Sequence, residues 1–175
     1  MEIDWNEIAR KIGAIGHCSS RLGNAAIVEL LGEEVVQGAV DYYVAECGSH
    51  GAEVARQVLW NLQPAGAMHR CYEIYRTDPD VQRKRNAVDL LRAVADDRAL
   101  PWVPGLLDDE DEMIQSYGGS VVDQLLWSEM ATVEACRELL AGMEHHANRN
   151  VRETHAFIVK YLSEREEAPE GPGDD

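Results

Sequence analysis

The chain has 175 residues, of which 45% are hydrophobic, and this is enough for one domain with a hydrophobic core. Its 32 acidic and 16 basic residues give a formal net charge of −16. We therefore expect neither nucleic acid nor an anionic membrane as a ligand, because both require cationic side chains. The charge favours a basic protein partner, although solubility alone is a second explanation.

The N-terminal segment does not have the pattern of a secretory signal. Its first seven residues, MEIDWNE, contain three acids, whereas a signal begins with basic residues before an unbroken apolar stretch. No window approaches the roughly 18 apolar residues of a membrane span. The four cysteines are far apart and form no C-x-x-C pair: Cys18, Cys47, Cys71 and Cys136. Each lies in an apolar helical pattern, which favours reduced core thiols in a cytoplasmic protein over disulfides or zinc ligands.

Helical periodicity runs through nearly the whole chain, and it repeats. Five similar stretches are NAAIVELLG, VARQVLWNL, NAVDLLRAV, SVVDQLLWS and THAFIVKYL, whose second residues are Ala25, Ala55, Ala87, Val121 and His155. The steps between these residues are 30, 32, 34 and 34 positions. Five more helices are predicted over approximately residues 3–13, 34–46, 65–76, 98–107 and 130–144. A period of this size is typical of antiparallel helix pairs that stack on one another, so we predict ten helices in five pairs.

Turn signals separate the members of these pairs. Ser49 begins a break before the second repeated helix, and Asn148 begins one before the fifth. Asp78 followed by Pro79 predicts an N-cap with proline at the first helical position. No predicted strand precedes the pair Gly118–Gly119, so we expect it to permit close helix packing or a bend rather than to bind phosphate.

Residues 98–127, RALPWVPGLLDDEDEMIQSYGGSVVDQLLW, resemble the bacterial HEAT-like repeat of the PBS lyase type. That repeat has a Leu-Pro near the start of its first helix, an acidic turn, and a second helix that opens on apolar and small residues. Residues 77–97, TDPDVQRKRNAVDLLRAVADD, resemble the acidic turn and second helix of the preceding repeat. The arginine usual early in the second helix is absent from residues 113–119.

The resemblance implies an all-α fold, a right-handed α-solenoid of about five HEAT-like helix pairs over residues 1–165. Residues 166–175, EEAPEGPGDD, are rich in acid, proline and glycine, and they are predicted to form a disordered acidic tail.

Five consecutive acids fall in the turn predicted between the helices of the fourth pair: Asp108, Asp109, Glu110, Asp111 and Glu112. One or two acids there can cap the following helix, but five adjacent like charges repel, so capping does not explain the run. The spacing does not match a calcium loop. Residues 101–125 contain six acids and no base, which predicts a surface for a basic partner.

A second group of candidate binding residues lies on the repeated helices, which usually line the concave face of a solenoid. Asp89 and Asp123 fall two positions beyond their repeat anchors, and Trp60 and Trp127 lie further along the same helices. An exposed tryptophan beside these acids would suit a binding hot spot. The usual burial of large aromatics favours core or inter-repeat packing for both tryptophans instead.

Catalytic motifs are absent from the sequence: there is no G-x-S-x-G, H-E-x-x-H or P-loop. His145 and His146 are adjacent, point about 100° apart on a helix, and are predicted to form a solvated helix end rather than a metal site. HEAT-like di-iron hydroxylases carry His-Glu pairs that this chain lacks, and HEAT-like DNA glycosylases need a basic face. We predict no catalytic, cofactor-binding or metal-binding residue.

The function predicted from these features is a non-catalytic, cytoplasmic protein-binding module whose acidic face holds a basic protein. By analogy with small acidic helical-repeat proteins, it would be an immunity protein that neutralises a cationic bacterial toxin such as a nuclease. Two alternatives stay open: a lyase-like or enzyme-accessory HEAT-repeat protein, and a scaffold subunit of a larger assembly.

Overall fold

The computed structural model describes residues 20–167 of the chain, and side chains for residues 23–165. Regular structure in this part is entirely helical, which confirms the all-α prediction. The elements are α1 (Ser20–Leu31), α2 (Glu33–Glu46), α3 (His50–Leu62), α4 (Ala65–Thr77), α5 (Val81–Val94), a 3-10 helix (Asp97–Trp102), α6 (Val103–Leu107), α7 (Glu112–Trp127), α8 (Val133–Glu144) and α9 (Arg149–Glu167). No helix among them is long and apolar enough to cross a membrane.

The helices follow the predicted order, with differences where local chemistry sets their ends. The helix expected over residues 98–107 is a 3-10 helix that continues into the short α6, because Pro101 and Pro104 lack the N–H groups of a regular helix. The helix expected from residue 130 begins at Val133, because Thr132 caps it by accepting from Ala135 N at 3.2 Å. The helix predicted over 3–13, Cys18 and residues 168–175 of the tail lie outside the described residues.

The cap predicted at Asp78–Pro79 is wrong by two residues. Asp80 is the N-cap of α5, and its carboxylate accepts from Gln82 N at 2.7 Å and from Arg83 N at 3.2 Å. Asp78 follows the end of α4 instead and accepts from Arg83 Nε at 2.8 Å. That bond is the largest cause of the lowered pKa of Asp78.

The chain divides into two compact units, Met1–Ala95 and Asp96–Asp175. In the first unit α2 packs on α3 and α4 packs on α5, while α2 also contacts α4 and α3 also contacts α5. Its largest fully buried side chains are Tyr43, Leu59, Met68, Leu90 and Leu91. In the second unit α7 packs on α6 and α9, and α8 packs mainly on α9. Its largest fully buried side chains are Leu106, Ile114, Leu125, Met143 and Ile158.

Gly118 brings α6 and α7 into backbone contact. A Cβ added at Gly118 would lie 2.8 Å from Leu106 Cβ and 3.4 Å from the Leu106 carbonyl carbon. Only glycine allows this approach, as expected for one member of the Gly118–Gly119 pair. The approach fixes the end of α6, and therefore the start of the acidic turn that follows it.

Candidate functional site

The acidic turn, residues 108–112, joins α6 to α7, and two of its acids hold its backbone. Asp111 is the N-cap of α7, and its Oδ1 accepts from Met113 N at 3.0 Å and from Ile114 N at 3.2 Å. Asp109 Oδ1 accepts from Asp111 N at 2.9 Å. These two half-buried carboxylates satisfy backbone donors that would otherwise lack a partner at a helix start.

The other three acids of the turn point to solvent. Asp108, Glu110 and Glu112 are exposed, and no hydrogen bond or ion pair reaches their carboxylates within the described part of the chain. Three unpaired negative charges on five residues produce a local field that attracts cations. The turn therefore separates the run into two acids that maintain the fold and three that remain available to a partner.

Asn148 braces the acidic turn from the opposite loop. It is 8% exposed, and its Nδ2 donates to Glu112 O at 2.8 Å and to Gln115 Oε1 at 2.9 Å. Gln115 Nε2 in turn donates to Asp109 O at 2.6 Å. Asn148 Oδ1 accepts from Asn150 N at 2.9 Å at the start of α9. One buried amide thus links the start of α9 directly to Glu112 and, through Gln115, to Asp109 of the acidic turn.

His146 closes the same network. Asn148 N donates to His146 Nδ1 at 3.0 Å, so Nδ1 is the acceptor of the ring. The other ring nitrogen, Nε2, lies 2.9 Å from Leu107 O and donates to it. This pair of bonds requires the neutral imidazole with its proton on Nε2. The prediction of a solvated helix end suits the exposed His145 but is wrong for His146, which bonds to a residue 39 positions away.

Asp89 lies in the first unit, and its carboxylate already has partners there. It accepts from Tyr43 Oη at 2.5 Å and from Arg92 Nε at 2.8 Å, and its side chain is only 13% exposed. Burial and the bond to Asp89 raise the pKa of Tyr43 well above its ordinary value. A partner contact at Asp89 would compete with these internal bonds, and it stays a prediction.

Asp123 lies in the second unit, on α7, and is half-buried. Within the described residues no hydrogen bond or ion pair reaches its carboxylate, and burial raises its pKa above the usual value. Trp127 is four positions further along α7, so the two side chains share one helix face. A half-buried carboxylate without a partner lowers the stability of the fold. Because no described residue pairs with the Asp123 carboxylate, it is available to a cation of a binding partner.

Asp123→Asn is expected to raise the free energy of unfolding at pH 7, because it removes a half-buried charge that burial disfavours. The folded pKa is raised, so the ionised group is disfavoured in the folded state, and this cost exists only at pH values where Asp123 is ionised. The gain should therefore shrink as the pH falls toward about 4. Urea denaturation at several pH values measures it, with the exposed Asp108→Asn as control. A loss of stability at pH 7 would contradict the expectation.

Both candidate tryptophans are exposed, so the expectation of core packing is wrong for each, while packing between the predicted repeats stays a prediction. Trp60 is 41% exposed, and the Arg56 guanidinium lies 6.0 Å from its ring centroid. Trp127 is 57% exposed and packs one face on Tyr161 of α9, with ring centroids 4.7 Å apart. Each follows a buried leucine directly, and that leucine fills the core side of the helix. Trp60 belongs to the first unit and Trp127 to the second.

Other chemistry is sparse in the described residues. Among them no three His, Cys, Asp or Glu side chains are grouped to hold a metal ion. Cys47, Cys71 and Cys136 are free thiols. Cys71 and Cys136 are core residues as predicted, and burial raises the pKa of both, but the prediction is wrong for Cys47, which is exposed directly after the end of α2. Comparisons with protein-family models, with curated proteins and with solved structures found no match to this chain.

Proposed function

We propose that this chain is a non-catalytic protein-binding module whose acidic surface binds a basic protein. The acidic turn carries the proposal: Asp108, Glu110 and Glu112 are exposed and have no partner among the described residues, while the backbone beneath them is held by Asn148 and His146. A turn that is already ordered loses little conformational entropy on binding. Its charges would steer a cationic partner and raise the association rate.

In its narrower form the proposal is an immunity protein that covers the basic active-site cleft of a bacterial toxin such as a nuclease. This form rests on analogy with other small acidic helical proteins, since a fold alone does not give a function. The HEAT-like repeat is also a proposal. It is supported in the first unit, where α2 contacts α4 and α3 contacts α5 as in stacked helix pairs. The free thiols fit the proposed cytoplasmic setting.

The test reverses the three exposed charges with Asp108→Lys, Glu110→Lys and Glu112→Lys, and leaves Asp109 and Asp111 in place. A pull-down at low salt with a salt-gradient elution supplies the basic partner, and stopped-flow mixing measures association with it. We expect the association rate at low salt to fall by about 10- to 100-fold, because electrostatic steering contributes factors of this size. The dissociation rate should change less.

A matched control separates this turn from the general negative charge. The variant Glu34→Lys, Glu46→Lys and Glu53→Lys makes the same change in net charge at three exposed positions of the first unit. It should slow association much less than the turn variant. Equal slowing by both variants, or an unchanged rate in the turn variant, would count against the proposal.

A further inference from the structure

A groove of about 520 Å³ lies in the second unit, between α8 and the segment formed by the 3-10 helix and α6. Its lining is mainly apolar: Leu100, Pro104, Leu107, Ala135, Leu139 and Gly142. In this unit α7 and α9 pack together, whereas α6 and α8 make no comparable contact among the described residues. The groove is the open space between α6 and α8.

Gly142 shows that the groove is open. A Cβ added there would meet no atom within 4 Å. Ala135 and Pro104 are exposed, and only Leu107 of the apolar lining is buried. An exposed trough of this kind differs from a small-molecule pocket, which encloses its ligand and directs a few polar groups at it. The shape favours a side-chain-bearing surface of another protein.

The rim of the groove is acidic and leads into the acidic turn. Glu134 and Glu138 stand one helical turn apart on α8, and Arg137, the only cation among the described lining residues, is ion-paired with Glu134. Leu107 of the floor is followed directly by Asp108 of the turn. An occupant therefore needs an apolar stripe for the floor and basic residues on the flank that faces these acids.

The length of the groove along α8 matches about two turns of a bound helix. The lining on α8 runs from Glu134 to Gly142, which are eight positions apart, and this separation corresponds to about 12 Å or roughly two helical turns. A helix laid in the trough would present apolar residues at positions i, i+3, i+4 and i+7.

We propose that this groove binds a basic amphipathic helix of the partner protein. The inference rests on the proposed function, and it names the element of the basic partner that the second unit holds. The leucine-lined floor would retain the helix and lower its dissociation rate, while the rim and the acidic turn would speed its arrival. Each contribution can be removed without the other.

Blocking variants at Gly142 and Ala135 test the groove itself. The probe is a dye-labelled helical peptide of about 14 residues, roughly four turns, with leucine at one stripe and lysine elsewhere. Gly142→Leu places its Cβ in open space on the groove lining, so we expect its side chain to occupy the groove. We expect it to weaken peptide binding by at least about 10-fold in fluorescence anisotropy, equal to 1.4 kcal/mol. Ala135→Leu fills the groove at an exposed position and should act in the same direction.

Two controls make the result specific. Gly38→Leu is the same substitution on α2, also where an added Cβ meets nothing, and it should leave the affinity within about two-fold. A peptide with glutamate in place of lysine, and one with the same composition in shuffled order, should bind much more weakly. Circular dichroism confirms that each variant is folded.

The outcomes separate the groove from the acidic surface. If the charge-reversed turn loses its association rate while Gly142→Leu and Ala135→Leu bind normally, the groove inference is overturned and the proposed function stands. If the glutamate peptide binds as well as the lysine peptide, the groove does not select a basic helix and the inference is overturned, while the proposed function is still judged by the variant of the acidic turn. Loss of binding in the blocking variants, with the Gly38→Leu control unchanged, supports the inference.

Discussion

Gly118→Ala is expected to lower the free energy of unfolding by up to about 2 kcal/mol, although alanine is the better helix former. The new Cβ would lie 2.8 Å from Leu106 Cβ and 3.4 Å from the Leu106 carbonyl carbon, and neither atom can rotate away. Overpacking of this kind costs about 1–3 kcal/mol. The better helix propensity of alanine offsets about 1 kcal/mol of this cost. A net loss of stability remains because the added Cβ meets the Cβ and backbone of Leu106 rather than a flexible side-chain end.

Gly119 and Gly142, two other glycines of the second unit, supply matched controls. At Gly119 an added Cβ would first meet Met143 Cε at 3.4 Å, the far end of a flexible side chain, so Gly119→Ala should be close to neutral. At Gly142 it would meet nothing, so Gly142→Ala should gain about 0.5–1 kcal/mol. Urea denaturation followed by circular dichroism ranks the three. If Gly118→Ala proved as stable as Gly142→Ala, the close contact of α6 with α7 would be refuted.

The elements that sequence reasoning predicted well depend on neighbours close in the chain. The period of apolar residues predicts the helices, and Ser49 is the N-cap of α3, accepting from Ala52 N at 3.1 Å. One or two acids were expected to suffice for capping, and in the structure Asp111 caps α7 while Asp109 accepts a hydrogen bond from Asp111 N. All these interactions span at most three residues, so the local sequence contains the information.

The features that sequence reasoning missed depend on distant partners. His146 bonds to Leu107 O, 39 positions away, and no local pattern distinguishes it from the exposed His145. The exposure of Trp60 and Trp127 depends on which side of each helix the adjacent leucine fills. Asn148 was partly predictable, since an asparagine before a helix suggests a cap, but its bonds to the acidic turn require the packing of α9 on α7.

These long-range bonds also give the acidic run a physical explanation that composition alone does not. Five adjacent acids would repel in an unsupported loop. Here two of the carboxylates accept backbone N–H bonds, and the opposite loop supplies a buried amide donor to the backbone beneath them. The hydrogen-bonded turn thus keeps three exposed like charges close together at a defined place, whereas repulsion would spread them apart in an unsupported loop.

Asn148→Asp is expected to lower the free energy of unfolding by about 2–4 kcal/mol and to loosen the acidic turn. The substitution keeps the oxygen that accepts from Asn150 N, but it replaces the Nδ2 donor by an oxygen facing Glu112 O and Gln115 Oε1. Two hydrogen bonds of about 1 kcal/mol each are lost, and buried acceptors are left opposed at a further cost of about 1–3 kcal/mol. Asn148→Ser also keeps a capping oxygen and adds no charge, so it should cost only about 1–2 kcal/mol.

Urea denaturation gives the stability loss of both variants, and hydrogen exchange shows where it acts. The amide of Gln115, which donates to Asp111 O at 3.0 Å, should exchange faster in Asn148→Asp. Lowering the pH toward about 4 should narrow the difference in stability between the two variants, because a protonated carboxyl can donate again.

Binding of a basic partner gives a separate signature. The three exposed acids are unchanged, so the association rate should persist. The dissociation rate should rise, because the turn is no longer held in place. Asn148→Asp with wild-type stability and exchange would show that the opposite loop does not hold the acidic turn.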